Sequence, residues 1–323
     1  MKLNAAIAIL ACLVFGTSTT ALHRTERSYS ESPATAKTIL ERLGYAPDAK
    51  LLIVHADDLG MAHSINVASI KGLETGLVSS ASIMIPCSWL PEIAAYARSH
   101  READLGLHLT LTSEWSLYRW GPILPKERVP SLLDSSGYLY STETEAAAHI
   151  DPKEAEAELR AQIARAIALG IQPTHLDSHM GTLYQNQALF ETLFRVAHDN
   201  KLLIRVSKEW FAAAPFLPSL LGPDDVVVNS VISIEPGVTA DGWSKFYADA
   251  IKNLQPGITE MIVHLAYDDD EMKGVAFDHP NWGSEWRQRD FQFVTSDAFR
   301  KLLRDNNVKI VTWREVGKLM KKS

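Results

Sequence analysis

Eight short apolar runs recur along the chain with helical patterns between most of them, and this alternation constrains the fold more than any other feature. The runs are 51–56, 78–85, 105–111, 172–176, 202–206, 226–232, 259–265 and 308–312. Leu51 to Val54 shows no polar alternation, as expected of a parallel strand covered on both faces. Amphipathic stretches such as "AEAELRAQIARAIAL", Ala155 to Leu169, and Ser296 to Arg304 supply the helices. Seven or eight βα units favour a (β/α) barrel over an open sheet, in a single α/β domain without linker or internal repeat. Periodicity alone leaves closure of the sheet open. The segment from Ser113 to His149 is too long for an ordinary connection and carries Trp115, Tyr118, Trp120, Tyr138 and Tyr140. An insertion loop of that length usually covers or lines a site.

Composition removes some classes of function. The chain has 323 residues, 46% hydrophobic and 22% charged, which is an ordinary globular balance. A net charge of −7 and the lack of a basic stripe argue against a nucleic-acid partner and fit a neutral or weakly charged substrate. The N-terminus, "MKLNAAIAILACLVFGTSTTALHR", reads as a secretory signal peptide over residues 1–21, with no membrane span. Export to a periplasmic or extracellular compartment is expected. A lipoprotein box at Cys12 is disfavoured by the apolar "LVF" after it. Residues 22–50 form an N-terminal extension and a first helix. Without the signal, Cys87 is the remaining cysteine, which excludes an intrachain disulfide and a thiolate zinc cage. The sequence leaves a homo-oligomer open.

In a parallel barrel the chemistry sits at the carboxyl ends of the strands, so polar residues that close apolar runs are informative. "LLIVHADDLGMAHS" gives His55, Asp57 and Asp58, and "GLHLTLT" gives His108. "PTHLDSHMG" gives His175, Asp177 and His179, and "EMIVHLAYDDD" gives His264. Each alone could be a core histidine, a cap or a turn. Acids and imidazoles at the same end of four strands argue otherwise. One Asp with two His residues is a familiar ligand set for one divalent metal ion, and an adjacent carboxylate can then act as base.

These motifs resemble, in order and spacing, the YdjC-like carbohydrate deacetylases, whose best-known member acts on chitooligosaccharides. The usual wording there is close to NADDFG, G-(hydrophobic)-H-x-x-LT and THLDSHxHxH, and "GLVSSASIMI" also resembles the second strand. The resemblance implies a distorted or irregular (β/α) barrel over 51–323 and an ion, Mg²⁺ or Zn²⁺, held by Asp58, His108 and His179. It implies Asp57 as catalytic base, with His264 protonating the leaving amine. His175 and Asp177 would orient ligands by hydrogen bonding. The implied reaction removes an acetyl group from an N-acetylated oligosaccharide by metal-activated water. The chain departs from the wording in His55 for Asn, Leu59 for Phe, and Gly181 and Leu183 for two further histidines.

For sugar recognition, "DHPNWGSEWRQRD" offers Trp282, Trp286 and Arg287, and the insertion offers Trp115. Two other readings stay open: a metal hydrolase of another amide or an ester on the same barrel, and a non-catalytic carbohydrate-binding protein. The intact Asp57, Asp58, His108 and His179 set disfavours the second, since a binding module needs no base beside a metal.

Overall fold

The computed structural model describes residues 38–322. The expected signal peptide, 1–21, lies outside them, as do residues 22–37 of the extension, whose described part holds the helix Ile39–Leu43. No helix among the described residues is long and apolar enough to cross a membrane.

The eight strands among the described residues are β1 (Lys50–Leu59), β2 (Ser80–Ile83), β3 (Leu105–Leu109), β4 (His175–Ser178), β5 (Leu203–Ile204), β6 (Ser230–Ser233), β7 (Gly257–His264) and β8 (Val308–Ile310). Each overlaps one expected run. The runs outlast the ladders at β2 and β3 because Met84, Ile85 and Leu111 are buried without continuing the strands. Conversely, β1 runs three residues past the expected end, so Asp57 and Asp58 lie within the strand and not in a turn beyond it.

All pairings are parallel, in the order β5-β4-β3-β2-β1-β7-β6. The two ends of this path meet. Val228 N–H donates to the Val206 carbonyl at 2.9 Å, and Lys208 N–H donates to the Val228 carbonyl at 2.9 Å. These bonds beyond β5 and ahead of β6 close an irregular barrel. Strand β8 stands apart, pairing with Lys50 to Leu52 of β1, whereas β2 pairs with the same strand from His55 to Leu59. That shared edge is one source of the distortion.

The pleat decides what enters the barrel, because alternate residues of a strand face opposite sides. Along β1, Leu52, Val54 and Ala56 join the larger apolar cluster with the surrounding helices, including Pro152–Ala168 and Gln187–Asn200. Leu51 and Ile53 instead join a second cluster with Leu203, Val228, Ile258 and Trp313. That cluster is the apolar floor of the interior. Above it the same β1 face carries His55 and then Asp57, Ser80 and Ser82 of β2 bond to His55, and Glu260 of β7 lies beside it. The barrel therefore changes from apolar to charged along its own axis.

Gly106 of β3 makes room for one of these groups. A Cβ there would lie 2.4 Å from Nε2 of the buried His175. Gly106→Ala is expected to destabilise the fold by about 1–3 kcal/mol through overpacking, seen as a lower urea midpoint with unchanged slope.

Candidate metal centre

Asp58, His108 and His179 come from the ends of β1, β3 and β4, and their donor atoms lie within 4.8 Å of one another. His108 Nε2 is 3.4 Å and His179 Nδ1 is 3.3 Å from Asp58 Oδ1. All three residues are buried. Simple alternation would turn Asp58 away from the interior that Asp57 faces. The backbone prevents this: Asp58 has φ +74°, in the left-handed region that non-glycine residues rarely occupy, and the β1–β2 register shifts between Ala56 and Leu59. Two consecutive carboxylates thus reach one cavity. Such strain persists where the surroundings enforce it, and it is concentrated at functional sites.

Each member of the group is held from behind. His108 Nδ1 lies 2.7 Å from Asp177 Oδ1, so a proton on Nδ1 leaves Nε2 free to bind. His179 Nε2 lies 2.9 Å from Glu114 Oε2, which directs Nδ1 inward. Asp58 Oδ2 accepts from Arg287 at 2.7 Å, while Oδ1 is buried with no hydrogen bond among the described residues. An oxygen left in that state and two imidazole nitrogens aimed at it fit a divalent cation. The electrostatics agree. Burial opposes charge on Asp58, but the Arg287 guanidinium and the neighbouring imidazoles hold its carboxyl well below the usual range. For His179, burial is outweighed by Glu114 and Asp58, which raise the imidazole to about 9. The surroundings favour positive charge at this point.

Beneath lies a second buried layer. Asp57 Oδ1 is 3.1 Å from His55 Nε2 and 3.7 Å from Arg205, and Oδ2 is 3.8 Å from His108 Nε2. Arg205 also reaches Asp177 at 3.4 Å and Glu260 at 3.7 Å. Burial would protonate Asp57, but the charges of His108 and Arg205 hold it well below the usual carboxylate range. His175 is buried in this layer, edge-on to His55 and stacked on Trp313. It touches none of the three convergent donor groups through a hydrogen bond; its Nδ1 pairs with Thr174. Burial and the His55 charge keep it neutral.

His264 closes β7 directly opposite Asp57 in the register. Its backbone N–H donates to Asp290 Oδ2 at 3.0 Å, and Asp290 is itself held by Trp243 and Tyr247. Burial, the leading cause, pushes the His264 imidazole down to about 4. It is therefore neutral at pH 7 in this structure, and a proton it donates has to be acquired first.

The residues expected to meet sugar are placed differently. Trp115 and Trp286 are buried, Trp115 bonding to Met61 and Trp286 packing on Trp243 and Trp282. Arg287 is 1% exposed and faces Asp58 rather than solvent. Trp282 is partly buried, with its carbonyl accepting from Arg287. Exposed apolar surface in the connections leaving the carboxyl ends comes instead from Trp89, Leu117, Tyr138, Met180 and Phe277. Glu114, Arg205 and Asp290 were not singled out from the sequence. Arg205 had a signal, as an arginine within the apolar run "LLIRV".

Asp58→Ala is expected to abolish stoichiometric binding of Zn²⁺. Glu114→Ala, which frees His179 to reorient, is expected to weaken it about 10–100-fold with the fold retained. Competition with a colorimetric chelator measures both.

Comparison with known proteins agrees with the geometry. A family model described as YdjC-like protein matches residues 51–305. A carbohydrate deacetylase of Thermus thermophilus is 33% identical over 284 residues, 86% of this chain and 97% of that protein. A chitooligosaccharide deacetylase of Klebsiella pneumoniae is 24% identical over 280 residues, 83% of this chain and 99% of that protein. A crystal structure from Enterococcus faecalis, of a protein assigned to cellobiose-phosphate cleavage, aligns with a TM-score of 0.71 at 22% identity, covering 83% of this chain and 99% of that one, and supports the fold. With its barrel, its motifs at the ends of β1, β3 and β4, and a family match over most of its length, the chain belongs to the YdjC-like family.

Proposed function

We propose that the chain is a metal-dependent carbohydrate deacetylase that hydrolyses the acetamido group of an N-acetylated, chitooligosaccharide-like sugar. The observation that carries this is the convergence of Asp58 Oδ1, His108 Nε2 and His179 Nδ1 with an ionised Asp57 alongside. The relatives named deacetylases support the sugar and the acetyl group.

Asp58, His108 and His179 would hold one divalent ion, Mg²⁺ or Zn²⁺. The ion supplies Lewis-acid chemistry, polarising a carbonyl oxygen and making water more acidic. Asp57 is the base. Its Oδ1 is occupied by His55, Ser82 and Arg205, so Oδ2, which faces His108, is the oxygen free to take a proton from water. The water oxygen forms its bond to the acetyl carbon, the C–N bond breaks, and the nitrogen leaves with a proton, giving acetate and the free amine. His264 stands across from Asp57 and, being neutral beforehand, can pass on a proton acquired during turnover. Asp177, Glu114 and Arg287 keep the three donor groups in place. The N-terminal signal-peptide reading supports action outside the cytoplasm, on extracellular or cell-wall glycans.

Acetate release from a panel of N-acetylated and O-acetylated sugars, before and after EDTA and with Mg²⁺ or Zn²⁺ restored, tests the proposal. Metal-dependent release from an N-acetylated oligosaccharide is expected. Release from O-acetylated sugars alone would replace the amide by an ester, and no release from any member by metal-loaded protein would reject the reading. Asp57→Asn is expected to retain the metal and lower kcat about 10²–10⁴-fold. Loss of metal in that variant would exchange the roles of the two aspartates.

A further inference from the structure

We propose that His55 is a positioning residue that ties Asp57 and Asp177 together, so that one buried imidazole sets both the free oxygen of the base and the orientation of His108. The inference rests on the reading of Asp57 as base. Its first support is geometric. His55 Nε2 lies 3.1 Å from Asp57 Oδ1 and 3.0 Å from Asp177 Oδ2, with Ser82 Oγ at 3.1 Å. On the other side of the ring, Nδ1 lies 3.0 Å from Ser80 Oγ and 3.6 Å from Glu260 Oε1. His55 is wholly buried, so no water competes for these contacts.

The second support is which oxygens the ring engages. On Asp57 it takes Oδ1 and leaves Oδ2 toward His108 at 3.8 Å. On Asp177 it takes Oδ2, while Oδ1 holds His108 Nδ1 at 2.7 Å. Arg205 faces the same two carboxylate oxygens, at 3.7 Å and 3.4 Å. Arg205 balances charge across three carboxylates at once, and its contacts are the longer ones. The imidazole lies within ion-pair distance of both aspartates and is linked to Asp57 Oδ1 through the Ser82 hydroxyl, which donates to it, whereas Asp177 Oδ2 accepts no hydrogen bond among the described residues; this closeness restrains the rotation of both carboxylates. A carboxylate that cannot rotate presents its basic oxygen without reorganisation, which is where a base gains effectiveness.

The test compares His55→Leu, which fills the space without a donor, with His55→Gln, whose amide has two N–H groups for the two carboxylates. Folding of each is checked by circular dichroism and thermal melting. Loss of kcat by about 10–100-fold in His55→Leu, KM within about twofold, and recovery in His55→Gln to within about threefold of the parent are expected. Zn²⁺ affinity, measured by chelator competition without substrate, is expected to fall about tenfold in His55→Leu because Asp177, the anchor of His108, loses a restraint on its orientation. Folded His55→Leu with unchanged kcat and unchanged Zn²⁺ affinity overturns the proposal. Should that variant not fold, His55→Gln decides: near-parental kcat and Zn²⁺ affinity support it, and losses equal to those of Asp177→Asn overturn it. Asp57→Asn run in parallel separates the two readings. If it loses turnover while His55 variants keep theirs, the His55 assignment alone fails; if it keeps turnover, the base assignment fails and the Zn²⁺ arm still decides the link to His108.

Discussion

A buried guanidinium in the middle of the barrel sets the terms for everything above it. Arg205 faces Asp57, Asp177 and Glu260 in a space with almost no access to water. Carboxylates gathered there without a cation would protonate or force the strands apart, since desolvating a charge costs several kcal/mol. With Arg205 and His55 among them, Asp57 and Asp177 stay ionised, and an ionised Asp177 is what can accept from His108. Stability and chemistry therefore share one set of contacts. Apolar residues in this layer would make a sturdier core. The chain keeps charge where a site needs it and places an apolar floor beneath.

Much of this was legible in the sequence because the strands run at period two and the chemistry follows the same period. His55 and Asp57, His108, and His175, Asp177 and His179 close apolar runs, so recognising the strands placed them at one end of the sheet; their alternate positions within each run then turn them to one interior face in the structure. The resemblance to YdjC-like proteins then named the three that the structure brings together. What stayed hidden were partners separated by long stretches of chain. Glu114 lies six positions past His108 in an insertion without a period, and nothing local says that it turns back to His179. Arg287 stood out as a polar residue among tryptophans, the composition of a sugar site. Its real partner, Asp58, is 229 positions away. The tryptophans were ambiguous for a similar reason: whether an indole stacks on a ligand or fills the core depends on the helix packed over it, and Trp115 and Trp286 are covered.

The adjacent aspartates show how a local irregularity produces a function that regular structure forbids. A strand can present Asp57 or Asp58 to its interior but not both. The left-handed backbone at Asp58 and the shifted register beside it remove that restriction at one residue, at the end of an otherwise regular ladder. Gly60, at φ +90°, continues the turn into the helix His63–Glu74. The "DDLG" wording thus encodes a backbone geometry as well as two carboxylates.

Glu114 gives the long insertion a meaning beyond cover. It belongs to that segment, yet its carboxylate holds His179, which belongs to the barrel. Any ion that draws His179 into a fixed orientation also draws Glu114, and with it the start of the insertion, into place. By thermodynamic reciprocity the reverse holds: whatever packs the insertion down raises affinity for the ion by the same free energy. A ligand packed against the insertion and an ion held at His179 would therefore strengthen each other's binding without touching.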